Sequence, residues 1–193
     1  MGAGHGVQSV SLAKIGFNVT AVDFNDELLE ELEINAKGLN IKIVNSDIKN
    51  VNQFAYIEPE LIIWCGDTIS HLENLDEIKM LIKDVSGILK SGGKILFSFR
   101  DCSHELTGDN RFIPVKSDNS RILTCVLEYS NDNVKVTDLL NEKTQNGWEQ
   151  KISSYNKVRI STEQICQFIE ANKMEIQLNK VINRMTCVIA TKI

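Results

Sequence analysis

The sequence predicts an α/β fold in which a mostly parallel sheet carries helices on both faces. In the first half of the chain, short β-rich apolar runs alternate with amphipathic helical patterns, and this alternation favours parallel strands joined by right-handed crossovers. In the second half, consecutive strand-like runs separated by turn residues predict an inserted antiparallel meander, and the end of the chain predicts an antiparallel hairpin.

The elements of the first half are delimited by apolar spacing and by glycine, which commonly ends a helix. Gly16, Gly38 and the Gly92-Gly93 pair each follow a helical pattern. The run at 61–65 is strongly apolar, as expected of a strand that is buried on both faces. The predicted helices span 7–15, 26–37 and 74–90, and the predicted strands span 17–22, 41–44, 61–65 and 94–99.

The second half is punctuated by turn sequences. The turns at 131–133 and 145–147 separate strand-like runs, and the second contains Asn-Gly, a strong hairpin signal. Ser161 and Gln164 have the spacing of a capping box, which predicts the start of a helix. The predicted elements are strands at 121–129, 134–142 and 148–158, a helix at 161–171, and a hairpin of strands at 174–181 and 184–191.

The composition is typical of a soluble globular domain, with 193 residues of which 42% are hydrophobic and 24% are charged. We predict one domain over residues 1–193, with residues 111–158 as an inserted β-meander. Because no apolar run reaches the length of a membrane span and no secretory signal is recognisable, we expect a cytoplasmic protein without a membrane partner. The net charge of −5 argues against a nucleic-acid partner.

The five cysteines are scattered along the chain, without a C-x-x-C motif or a Cys/His cluster. This pattern predicts buried, reduced thiols in a cytoplasmic protein, and it predicts no metal site. The sequence leaves the oligomeric state open.

A glycine-rich loop, Gly2-Ala3-Gly4-His5-Gly6, runs directly into the first predicted helix. Glycine lets the backbone approach a ligand closely, and a helix N-terminus offers free N–H groups and a positive dipole. Asp23 ends the next predicted strand, where a carboxylate commonly accepts hydrogen bonds from ribose hydroxyls. These features predict a nucleotide-type ligand. The dinucleotide fingerprint G-x-G-x-x-G is not met, because a valine occupies position 7.

The G-x-G-x-G loop followed by Asp23 resembles the nucleotide loop of the class I S-adenosylmethionine-dependent methyltransferases, which have a Rossmann-like fold. The run 19–25 is similar to the second strand of that family and its ribose-binding acid. The sequence Leu-Lys-Ser-Gly-Gly at 89–93 is similar to the family's L-K-P-G-G turn, with serine in place of proline. The final hairpin is similar to the antiparallel end of the family's sheet, so the resemblance covers most of the chain.

The resemblance implies S-adenosylmethionine as the cofactor and identifies candidate binding residues. Asp47 is implied to meet the adenine amino group, and Ile48 is implied to cover the ring. Cys65 and Gly66 are implied to face the methyl group. The full implied cofactor set is Gly2, Ala3, Gly4, Gly6, Asp23, Phe24, Asp47, Ile48, Cys65 and Gly66.

The reaction implied by the resemblance is an in-line displacement that moves the methyl group to a small-molecule acceptor. Ligands of open α/β sheets bind at the carboxyl ends of the strands. We therefore predict Asp67, His71 and Arg100 as catalytic candidates, because they follow the strands at 61–65 and 94–99. For His71 the alternative is a packing role, and Arg100 could either hold an acidic acceptor or pair with its neighbour Asp101.

The predicted meander is the candidate cover of the acceptor site, because insertions at this position often cover that site in the family. Trp148 and Tyr155 are its polar-tipped aromatic residues and could line a pocket. The alternative is that they pack the meander against the sheet. Arg111 and Arg121 could recognise an anion, or they could be solvated surface residues.

One departure from the family pattern concerns the first strand. In the family, an apolar strand, an acid and one further residue precede the glycines, whereas Met1 directly precedes Gly2 in this sequence. The resemblance therefore predicts that the first strand and its acid are absent. Their absence would expose two rows of backbone hydrogen-bonding groups between the strands that end at Asp23 and Cys65.

Two functional hypotheses follow. The first is S-adenosylmethionine-dependent methylation of a small molecule, and the alternative is a truncated or degenerate methyltransferase-like fragment without activity, which acts at most as a binding module. Nucleic-acid methylation is disfavoured, because enzymes that methylate base amino groups carry Pro-Pro and an aromatic residue where this chain has Cys-Gly-Asp-Thr at 65–68. A nicotinamide-binding domain is disfavoured by Val7.

Overall fold

The computed structural model describes residues 1–193 and confirms the predicted α/β fold class. None of its helices has the length and the apolar character needed to cross a membrane. The α-helices are α1 (Val7–Lys14), α2 (Asp26–Asn35), α3 (Leu75–Ile88) and α4 (Thr162–Ala171). Short 3₁₀ segments lie at Ile48–Ile57, Thr68–His71 and Gly108–Arg111.

The strands agree closely with the apolar runs of the sequence. In the α/β layer they are β1 (Val19–Asp23), β2 (Ile41–Asn45), β3 (Leu61–Trp64), β4 (Lys94–Phe99), β9 (Met174–Ile182) and β10 (Met185–Lys192). The inserted meander consists of β5 (Phe112–Ser117), β6 (Arg121–Tyr129), β7 (Asn133–Thr144) and β8 (Gly147–Val158).

The α/β layer contains two sets of paired strands. The strands β1 and β2 form a parallel pair, and β3 and β4 form a second parallel pair. The strand β10 lies between β4 and β9 and runs antiparallel to both, which confirms the predicted closing hairpin. The meander is a separate four-stranded antiparallel sheet in the order β5-β6-β7-β8.

The strand β5 was not predicted from the sequence. It contains Pro114, which cannot donate a hydrogen bond to a ladder and is confined in sheets to edge strands and bulges. The structure shows both features, because β5 is an edge strand and its register shifts between Pro114 and Lys116.

The main hydrophobic core lies between the β3–β4 sheet and the helices α3 and α4. Trp64 stacks on Phe97 with ring centroids 5.1 Å apart, and both side chains are fully buried. The helices contribute Ile82 of α3 and Ile165 of α4 to the same core. A second, smaller cluster packs α2 against β1 and consists of Ala21, Leu29, Leu32 and Ala36. This packing fixes the strand ends from which the candidate site residues project.

A cleft lies between β1 and β3, which belong to different sheets. The cleft has a volume of about 810 Å³. The segment at residues 1–3 bridges it, since the Met1 amino group donates to the Ile63 carbonyl at 3.0 Å and the Ala3 N–H donates to the Val22 carbonyl at 2.9 Å.

A substitution at the start of α4 tests whether the capping box contributes to the free energy of unfolding. Gln164 N–H donates to Ser161 Oγ at 3.1 Å, and Ser161 N–H donates to Gln164 Oε1 at 2.9 Å, which confirms the capping box. We expect Ser161→Ala to lower the free energy of unfolding by about 1 kcal/mol in urea titrations, because it leaves helix N–H groups without a partner. Ser86→Ala, at a half-buried position within α3, is the control and should change it by less than about 0.5 kcal/mol. Equal effects of the two substitutions would contradict the assignment.

Candidate functional site

The candidate site lies where the glycine loop, the end of β1 and the loop after β3 come together. A Cβ atom added at Gly2 would overlap the side chain of Thr68, so the glycine loop lies directly against the loop that follows β3. The structure therefore brings the predicted cofactor residues of both segments to one edge of the sheet, as expected for an open α/β layer.

The three glycines of the loop have different roles, although all have positive φ angles. Gly2 and Gly6 are required for packing, because a Cβ atom at these positions would overlap Thr68 and Leu32 respectively. Gly4 has a φ of +50°, and no atom lies within 4 Å of a Cβ built on it. Gly4 is thus the glycine beside which a ligand can approach the backbone.

Asp23 holds this loop against the end of β1. Its Oδ2 atom accepts a hydrogen bond from the Gly4 N–H at 2.8 Å, and its Oδ1 atom accepts one from the Asn25 N–H at 3.0 Å. The side chain is buried. Since each carboxylate oxygen has two lone pairs, Asp23 retains the capacity to accept further hydrogen bonds from a ligand.

The helix α1 begins at the loop without a side-chain cap. Gly6 is its N-cap residue in a left-handed conformation, and no side chain bonds to the first N–H groups. Asn35 of α2 steadies the loop, because its Nδ2 atom donates to the His5 carbonyl at 3.0 Å. The start of α1 therefore offers the uncapped N–H groups that favour a negatively charged or polar ligand.

The structure places the other implied cofactor residues in contrasting environments. Phe24 is exposed at the end of β1, next to Asp23. Asp47 is also exposed, and its Oδ1 atom accepts from the Lys49 N–H at 2.8 Å at the start of a 3₁₀ segment. Ile48 is only 8% exposed and packs in the main core. Of the Asp47–Ile48 pair, the carboxylate is thus the more accessible group.

Cys65 and Gly66 follow β3 directly. Cys65 is half-buried, its carbonyl accepts from Thr68 Oγ1 at 2.9 Å, and burial raises the pKa of its thiol. Gly66 is exposed with a φ of +77°, and no atom lies within 4 Å of a Cβ built on it. Gly66 therefore provides a second open stretch of backbone at this edge.

Asp67, which we predicted as a catalytic candidate, is buried in the structure and bonds to Arg100 and Lys157. Its side chain is 2% exposed, its Oδ1 atom accepts from the Arg100 N–H at 2.6 Å, and its Oδ2 atom accepts from Arg100 Nη1 at 2.8 Å and Lys157 Nζ at 2.9 Å. Burial alone would raise the pKa of Asp67, but the charge of Lys157 and the hydrogen bonds from both partners outweigh burial and lower it. The ionised carboxylate thereby joins the ends of β3 and β4 to β8.

Arg100 pairs with Asp67 and not with its neighbour Asp101. Its side chain remains 61% exposed, so most of its guanidinium donors face solvent. Asp101 instead accepts from both the N–H and the Oγ1 of Thr162, each at 2.7 Å, at the start of α4. Burial would raise the pKa of Asp101, but hydrogen bonds from Ser103 and Thr162 lower it to about 2. Arg100 is therefore not paired with Asp101, and its remaining guanidinium donors are open to a ligand.

His71 meets the meander at Tyr155. The two rings lie with their centroids 5.4 Å apart and tilted by 30°, and Lys157 Nζ lies 5.7 Å from the centroid of the Tyr155 ring. Burial and the positive charge of Lys157 lower the pKa of His71, against the opposing effect of Asp67. A lowered pKa favours the neutral imidazole at pH 7, in which one ring nitrogen can accept a proton.

The meander presents one face to this site. Cys125 and Asp138 are cross-strand neighbours, and Cys125 Sγ donates to Asp138 Oδ1 at 2.8 Å. Val136 pairs with Tyr155, and strand side chains alternate, so Asp138 and Tyr155 project from the same face. Burial and the hydrogen bond to Asp138 raise the pKa of Cys125 to about 11.

Three polar residues of this face, Cys125, Asp138 and Lys157, were not predicted as site residues. They belong to no motif, and only the register of the strands brings them together. The alternation of side chains along β8 is the signal in the sequence that places Lys157 on the same face as Tyr155.

Two other predictions about the meander concern Trp148 as a pocket residue and Arg111 and Arg121 as an anion site. Trp148 lies an odd number of residues from Tyr155 on β8, so it projects from the opposite face, and it is 49% exposed. Arg121 Nε pairs with Glu142 at 3.0 Å, and Arg111 Nε donates to the Gly108 carbonyl at 3.4 Å. Of the two aromatic residues, Tyr155 alone contacts the candidate site.

Comparison with solved structures identifies the fold. A methyltransferase from Clostridium acetobutylicum, described as S-adenosylmethionine-dependent, superimposes with a TM-score of 0.79 at 19% identity, covering 99% of this chain and 81% of that one. CalS10 is an amino pentose methyltransferase from Micromonospora echinaspora, solved with S-adenosylmethionine bound. It superimposes with a TM-score of 0.82 at 12% identity, covering 100% of this chain and 81% of CalS10. The fold is thus that of the class I methyltransferases.

Sequence comparison agrees over the first half of the chain. The family model described as a methyltransferase domain matches residues 1–93. The ubiquinone biosynthesis O-methyltransferase of Coxiella burnetii is 29% identical over 107 residues, which cover 51% of this chain and 41% of that protein. The chain thus spans about two fifths of the length of this curated relative. The chain thus resembles a methyltransferase domain in sequence over its first half, and over its whole length it shares the fold of the methyltransferases described above.

The ion pairs of Asp67 predict a large effect on stability. We expect Asp67→Asn to lower the free energy of unfolding by about 3 kcal/mol in urea at pH 7, because it leaves Lys157 buried without its counter-charge. Since the folded-state pKa of Asp67 lies below its ordinary value of 3.8, its contribution is complete above that pH and is lost as the pH falls through the lowered value. The difference between the variant and the parent chain should therefore shrink in strong acid.

Arg100→Gln is the matched control for that experiment. The Arg100 side chain is largely exposed, so its loss should cost less than about 1 kcal/mol. If Arg100→Gln were as destabilising as Asp67→Asn, the assignment of the buried Asp67–Lys157 pair as the stabilising contact would be wrong.

Proposed function

We propose that this chain binds S-adenosylmethionine at the glycine loop and transfers its methyl group to a small-molecule acceptor. The observation that carries the proposal is the geometry of Gly4. Its N–H group is held by Asp23 at 2.8 Å, and the space beside it is open, whereas Gly2 and Gly6 are packed against neighbouring side chains. A backbone cradle that a Cβ atom would fill is the feature expected of a nucleotide site.

The residues that would hold the cofactor lie around this cradle. The uncapped start of α1 and the backbone of Gly4 would face its polar amino-acid end, and Asp23 would accept hydrogen bonds from the ribose hydroxyls. Asp47 would meet the adenine, and Gly66 offers open backbone near the methyl group. When bound, the cofactor supplies a methyl group on a positively charged sulfur, which is open to attack by a nucleophile.

The acceptor site that we propose lies between the loop after β3 and the inner face of the meander. Its walls are His71 and Tyr155, with Lys157 and Arg100 at one end and the Cys125–Asp138 pair further along the meander. Residues 111–158 would thus cover the acceptor. The catalytic contribution of this arrangement is chiefly orientation, which can lower a barrier by about 7–11 kcal/mol.

His71 is the residue that we propose as general base for an acceptor that must lose a proton. Its imidazole is neutral because burial and Lys157 lower its pKa, and Tyr155 holds the ring in place. Asp67 does not take this role in our proposal, because its side chain is only 2% exposed and its carboxylate is paired with Arg100 and Lys157. We propose Asp67 as a positioning residue and Arg100 as a binding residue for an anionic group of the acceptor.

The relatives support a small acceptor, since CalS10 acts on an amino pentose and the Coxiella burnetii protein is an O-methyltransferase of ubiquinone biosynthesis. The net charge of −5 supports a partner other than nucleic acid. The five free cysteines support a cytoplasmic location, where thiols stay reduced.

Calorimetric titration tests cofactor binding directly. We expect heat of binding with both S-adenosylmethionine and S-adenosylhomocysteine, and Gly4→Ala should weaken both by at least about tenfold, because the new methyl group occupies the ligand's space. Gly16→Ala is a matched control, since Gly16 also has a positive φ and open space but lies at the far end of α1. Absence of heat with either ligand in folded protein would support the inactive-fragment alternative.

The titration of His71 tests the proposed base without requiring the acceptor. We expect its Cε1 proton to titrate by NMR with a pKa below the ordinary value of 6.5, and we expect Lys157→Met to raise that pKa, because the substitution removes a nearby positive charge. Lys135→Met is the control, because Lys135 is exposed and pairs with Glu128 elsewhere on the meander. An unchanged pKa in Lys157→Met would contradict the proposed electrostatics.

A further inference from the structure

The two edges of the meander sheet differ in their capacity to pair with a further strand. The edge strand β5 has six residues, contains Pro114 and shifts register between Pro114 and Lys116. Proline and bulges both obstruct pairing at a sheet edge. The opposite edge strand, β8, has 12 residues without proline, and its register with β7 is continuous. The strand β8 is therefore the edge that a further strand can join.

The first part of β8 is open to solvent. Every residue from 147 to 156 is exposed. The α/β layer contacts β8 further along the strand, where Tyr155 lies against His71 and Lys157 bonds to Asp67. Residues of an antiparallel strand alternate between those that bond to the neighbouring strand and those whose N–H and C=O groups face the other side. Residues 147–153 thus present free backbone donors and acceptors at the edge.

The sequence of this free stretch is complementary to itself. It reads Gly-Trp-Glu-Gln-Lys-Ile-Ser at 147–153. When two copies lie antiparallel with their Gln150 residues opposite each other, Glu149 of each copy faces the partner's Lys151. In the same register Trp148 faces the partner's Ile152. Pairs of opposite charge and pairs of an aromatic with a β-branched residue both stabilise neighbouring antiparallel strands.

The charges also select this register over its neighbours. Moving the centre by one residue would place either two Glu149 side chains or two Lys151 side chains directly opposite each other. Like charges at directly opposite positions destabilise paired strands. Of these three registers, the one centred on Gln150 therefore has favourable charge pairs.

Glu149 lacks a counter-charge within its own chain. In the β7–β8 register it lies opposite Glu142, which is also acidic. The neighbouring bases are engaged by Glu142, because Arg121 Nε lies 3.0 Å and Lys151 Nζ lies 2.8 Å from its carboxylate oxygens. The partner's Lys151 would supply the charge that Glu149 lacks. The joined sheet would then carry bases and acids in alternation across its strands.

The opposite face of the same stretch exposes apolar surface. Trp148 is 49% exposed and Ile152 is 63% exposed. The two residues lie four positions apart on β8, so they project from the same face, away from Tyr155 and the candidate site. Pairing two copies would cover part of both side chains, and burial of apolar surface favours association.

We propose that β8 is a self-association edge, which pairs antiparallel with β8 of a second copy of this chain around Gln150. The two four-stranded meanders would join into one continuous antiparallel sheet. Tyr155 and Lys157, where the α/β layer contacts β8, lie beyond the paired stretch. The two α/β layers would therefore lie at opposite ends of the joined strands and would not collide. A contact of this size gives a reversible dimer with a Kd of about 1–100 µM.

Sedimentation equilibrium of the 193-residue chain tests the proposal without cofactor or acceptor, so its outcome is independent of the proposed methyl transfer. We expect a monomer–dimer equilibrium between about 1 and about 300 µM protein. Glu149→Lys and Lys151→Glu should each weaken the dimer at least about tenfold, because each places like charges opposite each other twice. An equimolar mixture of the two variants should dimerise again, since every lysine at these positions then faces a glutamate.

Recovery in the mixture shows that both variants are folded, so loss of the dimer in each alone has an electrostatic cause. Lys135→Glu is the matched control, because Lys135 is an exposed lysine that pairs with Glu128 of its own chain. It should leave the dimer unchanged. A parent chain that stays monomeric at about 300 µM would overturn the proposal. A dimer that persists in both single variants, or a mixture that stays monomeric, would also overturn it.

Discussion

The buried carboxylate of Asp67 is the contact on which the architecture of the site depends. It receives hydrogen bonds from the main chain and side chain of Arg100 and from Lys157, so one ionised group ties β3, β4 and β8 together. Separating a buried carboxylate from its cationic partners is costly in free energy, so these contacts hold the three strands in fixed positions. Because β8 is held there, Tyr155 is placed against His71 in the segment that follows β3.

The glycine loop shows how one short motif meets two different physical requirements. Gly2 and Gly6 avoid overlap with side chains of neighbouring elements, so they allow the loop to lie close to the sheet. Gly4 faces open space and is held by Asp23, so it leaves backbone accessible to a ligand. The same loop starts at Met1–Ala3, which is also the segment that bridges the cleft between β1 and β3.

Much of the fold could be predicted because the determinants are local. The capping box of Ser161 marks the start of α4, and the apolar run after Pro59 matches β3. The strand β5 could not be predicted, since Pro114 argues against a strand unless its position at a sheet edge is known. The roles within the site were less predictable. Asp67 was predicted as a catalytic candidate from its place after β3, but its partner Lys157, ninety positions further along the chain, could not be predicted.

Residue spacing alone indicates the alternation of strands and helices, the glycine loop with its acid, and the candidate residues at the strand ends. These depend on residue spacing over a few turns or strands, which is visible in one dimension. The folded chain is needed to see which glycine is open and that Arg100 pairs with Asp67. It is also needed to see that Tyr155 and not Trp148 faces the candidate site. Burial, strand register and charge pairing are long-range quantities, and they exist only once distant segments are packed together.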